Sequence, residues 1–364
     1  MKILKNYAKL LLFTGLLFSF TACKKERETT ISTIDIGLPG SFSLVYGDQQ
    51  EILLPSNILK AGDARITFDF NQTPNVQIGT TGSLHDKMGS ALTFDKVTGK
   101  IKLNTAMLYP NDEISAITGS KLPSSYKIDV IASSSSAGFQ GKQTIEVKIA
   151  AAKLDIKGLD NKIAIPFAYV LYGDAANFEL EAPANTMDGA SWDIDNKAAT
   201  GTDVSIVNNQ LRFGSNAGDP NKKAEKAYDV VPVLKKDGFN IASRSFRVFF
   251  IPKIKFFYGT YYSDLDLTLL FNNIHIALSN GYVSAAPTLY PDKYKSTFSI
   301  TGIEKDGAVF SAPSGIFTIN DKTGAITVAK NALLTTGAYK FTVKAITTTG
   351  LEFTTALTLS MSQG

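Results

Sequence analysis

Tyr126-Lys127-Ile128-Asp129-Val130, then Gly138-Phe139, then Ile145-Glu146-Val147 decide the fold, because the same pattern occurs three times. A tyrosine opens a strand of alternating apolar and polar residues. A glycine turn follows, and a second alternating strand closes the segment. The second copy runs through Tyr228-Asp229-Val230-Val231, Gly238-Phe239 and Phe246-Arg247-Val248-Phe249. The third runs through Tyr339-Lys340-Phe341-Thr342-Val343, Gly350-Leu351 and Leu357-Thr358-Leu359. Tyrosine and the apolar residue after glycine stand 13, 11 and 12 positions apart, which suits two strands joined by a short loop. Alternation with period two turns one face to a core and the other to water, as in antiparallel sandwiches. No stretch holds apolar residues at helical spacing for long.

Upstream of each closing pair lies an aromatic-glycine turn: Val45-Tyr46-Gly47-Asp48, Leu171-Tyr172-Gly173-Asp174 and Phe257-Tyr258-Gly259-Thr260. Repeats one and three share a further element. Thr98-Gly99-Lys100-Ile101-Lys102-Leu103 matches Thr323-Gly324-Ala325-Ile326-Thr327-Val328, each preceded by an Asp-Lys pair. The glycine is expected at positive φ in a tight turn, with the residues after it entering a strand. This Thr-Gly-x-Ile turn, with an aspartate two or three residues before the threonine, followed by the Tyr-x-apolar-x-Val strand, resembles bacterial cadherin-like and immunoglobulin-like modules. The resemblance covers most of repeats one and three, and repeat two at its ends. It implies an all-β protein of three tandem immunoglobulin-like antiparallel β-sandwiches.

The N-terminus carries a separate signal. Lys2, Lys5 and Lys9 precede an apolar run, Leu10 to Phe20, which ends in Thr21-Ala22-Cys23. The run is shorter than the roughly 20 residues that span a bilayer, so it reads as a processed signal peptide, residues 1–22. Small residues before a cysteine, with charge after it, resemble the lipoprotein signals of Bacteroidetes-type bacteria. The resemblance implies that Cys23 is lipidated, palmitate included. It also implies an outer-membrane protein, anchored through that lipid and displayed at the cell surface. Subtracting 22 residues from 364 leaves 342, or 114 for each of three repeats, close to an immunoglobulin-type sandwich of about 100. The expected organisation is a tether over 23–40 and modules over 41–150, 151–252 and 253–364. Ala150-Ala151-Ala152-Lys153 and Pro252-Lys253 serve as links. The insertion from Tyr109 to Ser125 is read as a helical turn or a long loop.

Composition narrows the chemistry. Cys23 is the one cysteine, so disulfides and thiol catalysis have no support. The net charge of +4 falls to about +1 once the three signal lysines are set aside, and no basic block stands out. A nucleic-acid partner is therefore not expected. His85 and His275 have no metal-spaced companions, and no metal or other cofactor is expected. Asp193-Ile194-Asp195-Asn196 and Asp264-Leu265-Asp266 are read as solvated carboxylates, because calcium needs six to eight converging oxygens. No serine elbow, phosphate loop or HExxH occurs, so an enzyme is not expected. A carboxylate pair assembled only by folding keeps a cryptic hydrolase as an alternative. Trp192 is read as core of repeat two.

Repeat three is rich in tyrosine: Tyr258, Tyr261, Tyr262, Tyr282, Tyr290 and Tyr294. Tyrosine offers a rigid apolar face to the C–H face of a sugar ring, and a polar tip to its hydroxyls. Asp264, Asn272, Asn273 and Asn280 could form a polar rim. Period two places Tyr258 and Tyr262 on one strand face and Tyr261 on the other, so either Tyr261 or Tyr262 is expected in the core. A lipidated cysteine before stacked immunoglobulin-like modules is similar to the surface glycan-binding lipoproteins of Bacteroidetes uptake systems. That resemblance implies a polysaccharide ligand and outer-membrane uptake-system proteins as partners. It places a glycan site on repeat three at Tyr261, Tyr262, Tyr282, Tyr290, Tyr294 and Asn280. The alternative is a structural or adhesion spacer that binds a protein partner.

Overall fold

The computed structural model describes residues 31–330 and 333–363. The expected signal peptide, Cys23 and the expected tether up to residue 30 lie outside the described residues. The chain gathers into two compact units. The first comprises residues 31–152 together with 184–190 and 235–242. The second comprises 153–183, 191–234 and the chain from 243 onward.

In the first unit one sheet orders Ser32–Thr33, Phe139–Ala150, Tyr126–Ser134 and Arg65–Asp69, with Ser41–Val45 also on Phe139–Ala150. A second sheet orders Gln49–Leu53, Lys100–Asn104 and Leu92–Asp95. Alternation fills the core: Ile128, Val130, Ile145 and Val147 come from one sheet, and Ile52, Ile101 and Leu103 from the other, all nearly fully buried. A short helix, Leu84–Ala91, departs from the sequence expectation. Leu84, Met88 and Ala91 are its buried stripe, and the Ser83 side chain caps it by accepting from the Asp86 N–H. The 109–125 insertion is a long loop pinned by an Ile114–Lys121 bridge. Its Tyr109 is buried, packs its ring 4.8 Å from that of Phe239, and donates its hydroxyl to Asp237.

In the second unit Phe167–Leu171, Phe246–Ile251 and Lys226–Val230 form one sheet, and Asp155–Ile156, Asn177–Glu181, Gln210–Phe213 and Val204–Val207 form another. They enclose Val170, Leu180, Leu211, Val230, Phe246 and Val248, with Trp192 partly buried against them. Farther along, a five-stranded sheet orders Asn273–Ala277, Glu352–Ser362, Gly337–Ile346, Thr297–Lys305 and Ala308–Val309. It faces a three-stranded sheet of Tyr282–Val283, Ile326–Val328 and Phe317–Ile319. Ile326, Val328, Phe341, Val343, Leu357 and Leu359 fill the space between.

The repeat seen in the sequence is a repeat of geometry. Three times an early strand pairs in parallel with the closing strand: Ser41 to Val45 on Glu146 to Ala150, Phe167 to Leu171 on Arg247 to Ile251, and Asn273 to Ala277 on Thr358 to Ser362. Ser32–Thr33 also pairs in parallel with the closing strand Phe139–Ala150. Tyr46, Tyr172 and Tyr258 are all buried. Each donates its hydroxyl to a backbone carbonyl, Ala106 at 3.1 Å, Ala224 at 2.8 Å and Gly324 at 2.9 Å. A buried hydroxyl without such a partner would be costly, so these bonds fix where each ring sits. Burial pushes the Tyr46 hydroxyl up to about 12 and raises that of Tyr258 as well. Gly99 and Gly324 stand at φ +68° and +76°, as the turn motif requires. A Cβ on Gly324 would meet Pro287 Cγ at 2.7 Å.

Candidate functional site

A cleft in the second unit holds about 690 Å³, within the range of small-ligand sites. Tyr172, Gly173, Lys222 and Lys223 line it on one side. Lys255, Tyr261, Ser263, Asp266, Tyr290 and Pro291 line it on the other, and Pro252 and Lys253 complete it.

Strand alternation builds the second set. Lys255–Phe257 pairs with Thr288–Tyr290 in antiparallel register, so Lys255 stands opposite Tyr290 and Phe256 opposite Leu289. The Lys255–Tyr290 pair faces the cleft. The Phe256–Leu289 pair faces a dry cluster with Ile251, Tyr294, Phe298 and Ala345. Tyr169, Leu171 and Phe249 pack on the same cluster, which links residues on both sides of Pro252 and supports both sets of lining residues. Tyr294 donates its hydroxyl to Glu225 at 2.6 Å, and Lys293 pairs with the same carboxylate at 2.8 Å.

Tyr261 arrives by a different route. Gly259–Tyr262 and Leu267–Leu270 form a two-stranded ribbon. Its entry demands glycine: Gly259 sits at φ +148°, and a Cβ there would lie 2.0 Å from the Leu269 carbonyl oxygen. The Tyr261 ring centroid is 4.9 Å from that of Tyr290, and the Lys255 ammonium lies 4.1 Å from the Tyr261 centroid. Asp266 accepts from the Tyr261 hydroxyl at 2.7 Å and pairs with Lys255 at 2.6 Å. The hydrogen bond from Lys255, then that from Tyr261, holds the Asp266 carboxyl below its ordinary range. The same carboxylate raises the Tyr261 hydroxyl and the Lys255 ammonium.

Of the six residues predicted for this site, the cleft brings together Tyr261 and Tyr290. Tyr290 is 38% exposed and Tyr261 half-buried. Tyr262 is 47% exposed, opposite Leu267 on the ribbon, and does not line the cleft. The expectation that Tyr261 or Tyr262 belongs to the core is therefore corrected. It assumed a strand within a sandwich, whereas a lone ribbon leaves both faces short of cover. Tyr282 is half-buried on the Ile326–Val328 strand and packs against the core. Asn280 is exposed in the preceding turn, its N–H donating to the Ala277 carbonyl. Tyr294 is 3% exposed, so its ring supports the junction cluster rather than offering a stacking face.

Two of the acidic candidates are engaged in ion pairs. Asp193 pairs with Lys197 at 2.7 Å and Asp266 with Lys255. Among the described residues no group of three or more metal-ligating side chains occurs. Sequence reasoning missed Tyr172, Lys222, Lys223, Lys253 and Lys255. The signal was present as lysines recurring at 222, 223, 253 and 255, two of them at the Pro252-Lys253 link.

Residues 263–364 match the family described as surface glycan binding protein BT4661-like, N-terminal. The match takes in Ser263, Asp266, Tyr290 and Pro291 of the cleft and begins just after Tyr261. With the strand content it makes the fold all-β with immunoglobulin-like modules. Solved structures alike in outline include Drosophila OTK extracellular domains 3–5, at 12% identity over 91% of this chain and 97% of that one, TM-score 0.35. Protocadherin Gamma B2 cadherin domains 3–6 align at 13% identity over 89% and 72%, TM-score 0.24. BT4661, a SusE-like surface-located polysaccharide-binding protein from the Bacteroides thetaiotaomicron heparin utilisation locus, aligns at 12% over 89% and 61%, TM-score 0.22. No curated protein matches the chain.

Proposed function

We propose that the protein is a non-catalytic glycan-binding protein of the outer-membrane surface. In this reading it is anchored through lipid on Cys23, built of modules 41–150, 151–252 and 253–364, and works beside the membrane proteins of a polysaccharide-uptake system. The observation that carries the reading is the Tyr261–Tyr290 pair in a cleft of sugar-binding size. A partly exposed tyrosine ring beside polar groups suits a saccharide, whose C–H face stacks while its hydroxyls find Ser263 and Asp266. The family matched over 263–364 supports it. Among the cleft's lining residues Asp266 is the one carboxylate, and glycoside hydrolysis ordinarily uses two.

Tyr290→Ala is expected to weaken binding to a glycan identified on an array by about 30-fold, or about 2 kcal/mol, measured by calorimetry. Tyr262→Ala, outside the cleft, should change it little. Undiminished affinity in the Tyr290 variant would remove the site. For the anchor, Cys23→Ala should release the protein from membranes and abolish incorporation of labelled palmitate. Continued labelling would refute lipidation at Cys23.

An adhesion or spacer role with a protein partner is favoured by one observation. The ribbon and its flanks expose Leu265, Leu267, Leu269, Leu270 and Phe271 at 40–74%, an apolar patch of the kind that marks protein contacts.

A further inference from the structure

We propose that the cleft takes an acidic saccharide, one that bears carboxylate or sulfate groups, because four lysines converge there on a single carboxylate. The proposal rests on the glycan reading above and names the ligand class of the same site.

Lys222, Lys223, Lys253 and Lys255 line the cleft, and Asp266 is the opposing acid. Asp266 is already engaged by Lys255. The other three lysines form no ion pair among the described residues. Lys222 donates to the neutral carbonyls of Ser215 and Ala217 at 3.1 and 3.2 Å, and meets the Asp219 carboxylate only through longer-range attraction. Its ammonium lies 5.1 Å from the Tyr172 ring centroid. Asp219, outside the cleft lining, accepts from the backbone N–H groups of Lys223 and Ala224, and Glu225 is held by Lys293 and the Tyr294 hydroxyl. Gathering like charges in a concave site raises its potential and its own repulsion, and a bound anion relieves both. Lysine ammonium groups read an anion as point charges, which suits carboxylate and sulfate alike. Tyr261 and Tyr290 supply the ring contact that a bare anion does not use.

The test is calorimetry on the whole protein with four probes: polygalacturonate for carboxylate, dextran sulfate for sulfate, dextran as a neutral glycan, and a thymidine oligonucleotide. The variant is Lys222→Gln/Lys223→Gln/Lys253→Gln. A charge-matched control is Lys60→Gln/Lys96→Gln/Lys148→Gln in the other unit. At low salt one or both acidic glycans should bind more tightly than dextran. The cleft variant should lose about tenfold and flatten the salt dependence, while the control keeps the affinity. Which acidic glycan binds identifies the group. Equal loss in the control, or an oligonucleotide that outcompetes both acidic glycans, overturns the proposal. Binding of dextran alone, sensitive to Tyr290→Ala, overturns the acidic class but keeps the glycan site. Binding of none of the glycans overturns both.

Discussion

Leu289→Ala should destabilise the second unit by about 2–5 kcal/mol and weaken ligand binding at the cleft as well. Leu289 is fully buried in the junction cluster, between residues on either side of Pro252. Truncation would leave a cavity among Ile251, Phe256, Tyr294 and Phe298, and close-packed rings relax into such a space only in part. The link to function is the register. Leu289 and Tyr290 are successive residues of one short strand, held against Phe256 and Lys255. Loss of the inward anchor lets the outward tyrosine and lysine move. Denaturant unfolding checks the first effect and calorimetry the second. Leu289→Met, nearly equal in volume, should cost less than about 1.5 kcal/mol and leave binding intact. A cost for Leu289→Ala no larger than that of Leu270→Ala, on the exposed ribbon, would show that the cluster does not hold the junction.

The repeating framework was legible because it rests on local rules. Period-two alternation located the closing strands, and glycine at positive φ marked the turns. The paired tyrosines marked positions that bury a ring and satisfy its hydroxyl. Three features escaped for physical reasons. Leu84, Met88 and Ala91 make a stripe of only three residues, too short to raise a helical period above the background of strands. The parallel pairing of early with closing strands joins residues 105, 80 and 85 positions apart in the three repeats, which no local spacing reveals. The cleft draws Tyr172 and Lys222 from one part of the chain and Tyr261 and Tyr290 from another, so repeat three alone pointed to half of it. Reading its tyrosines as one row also mixed roles. Tyr258 and Tyr294 are buried and hydrogen-bonded, Tyr282 leans on the core, and Tyr261 and Tyr290 reach the cleft.

Asp129 is a polar residue of an alternating strand that is nevertheless buried, and its burial leads to an acid-sensitive first unit. It is 1% exposed. Oδ1 accepts from Gln72 and Thr144, both at 2.6 Å, and Oδ2 pairs with Lys142 at 2.7 Å. Burial opposes ionisation, but the bonds from Lys142, Thr144 and Gln72 outweigh it and hold the carboxyl below its ordinary range. A carboxylate whose folded pKa is depressed stabilises the fold above its unfolded value, near 4. That stability is lost as pH falls through the lower folded value. Asp129→Asn replaces one acceptor oxygen with a donor that faces either the lysine or the Gln72–Thr144 pair. It should cost about 2–4 kcal/mol at pH 7. Lys142, 55% exposed, can return to water, so Lys142→Gln should cost less than about 1 kcal/mol. Urea unfolding at pH 7, 5 and 3 should show the wild type approaching the asparagine variant as pH drops below 4. Parallel pH profiles for the two proteins would mean that the buried carboxylate contributes no net stability as an anion.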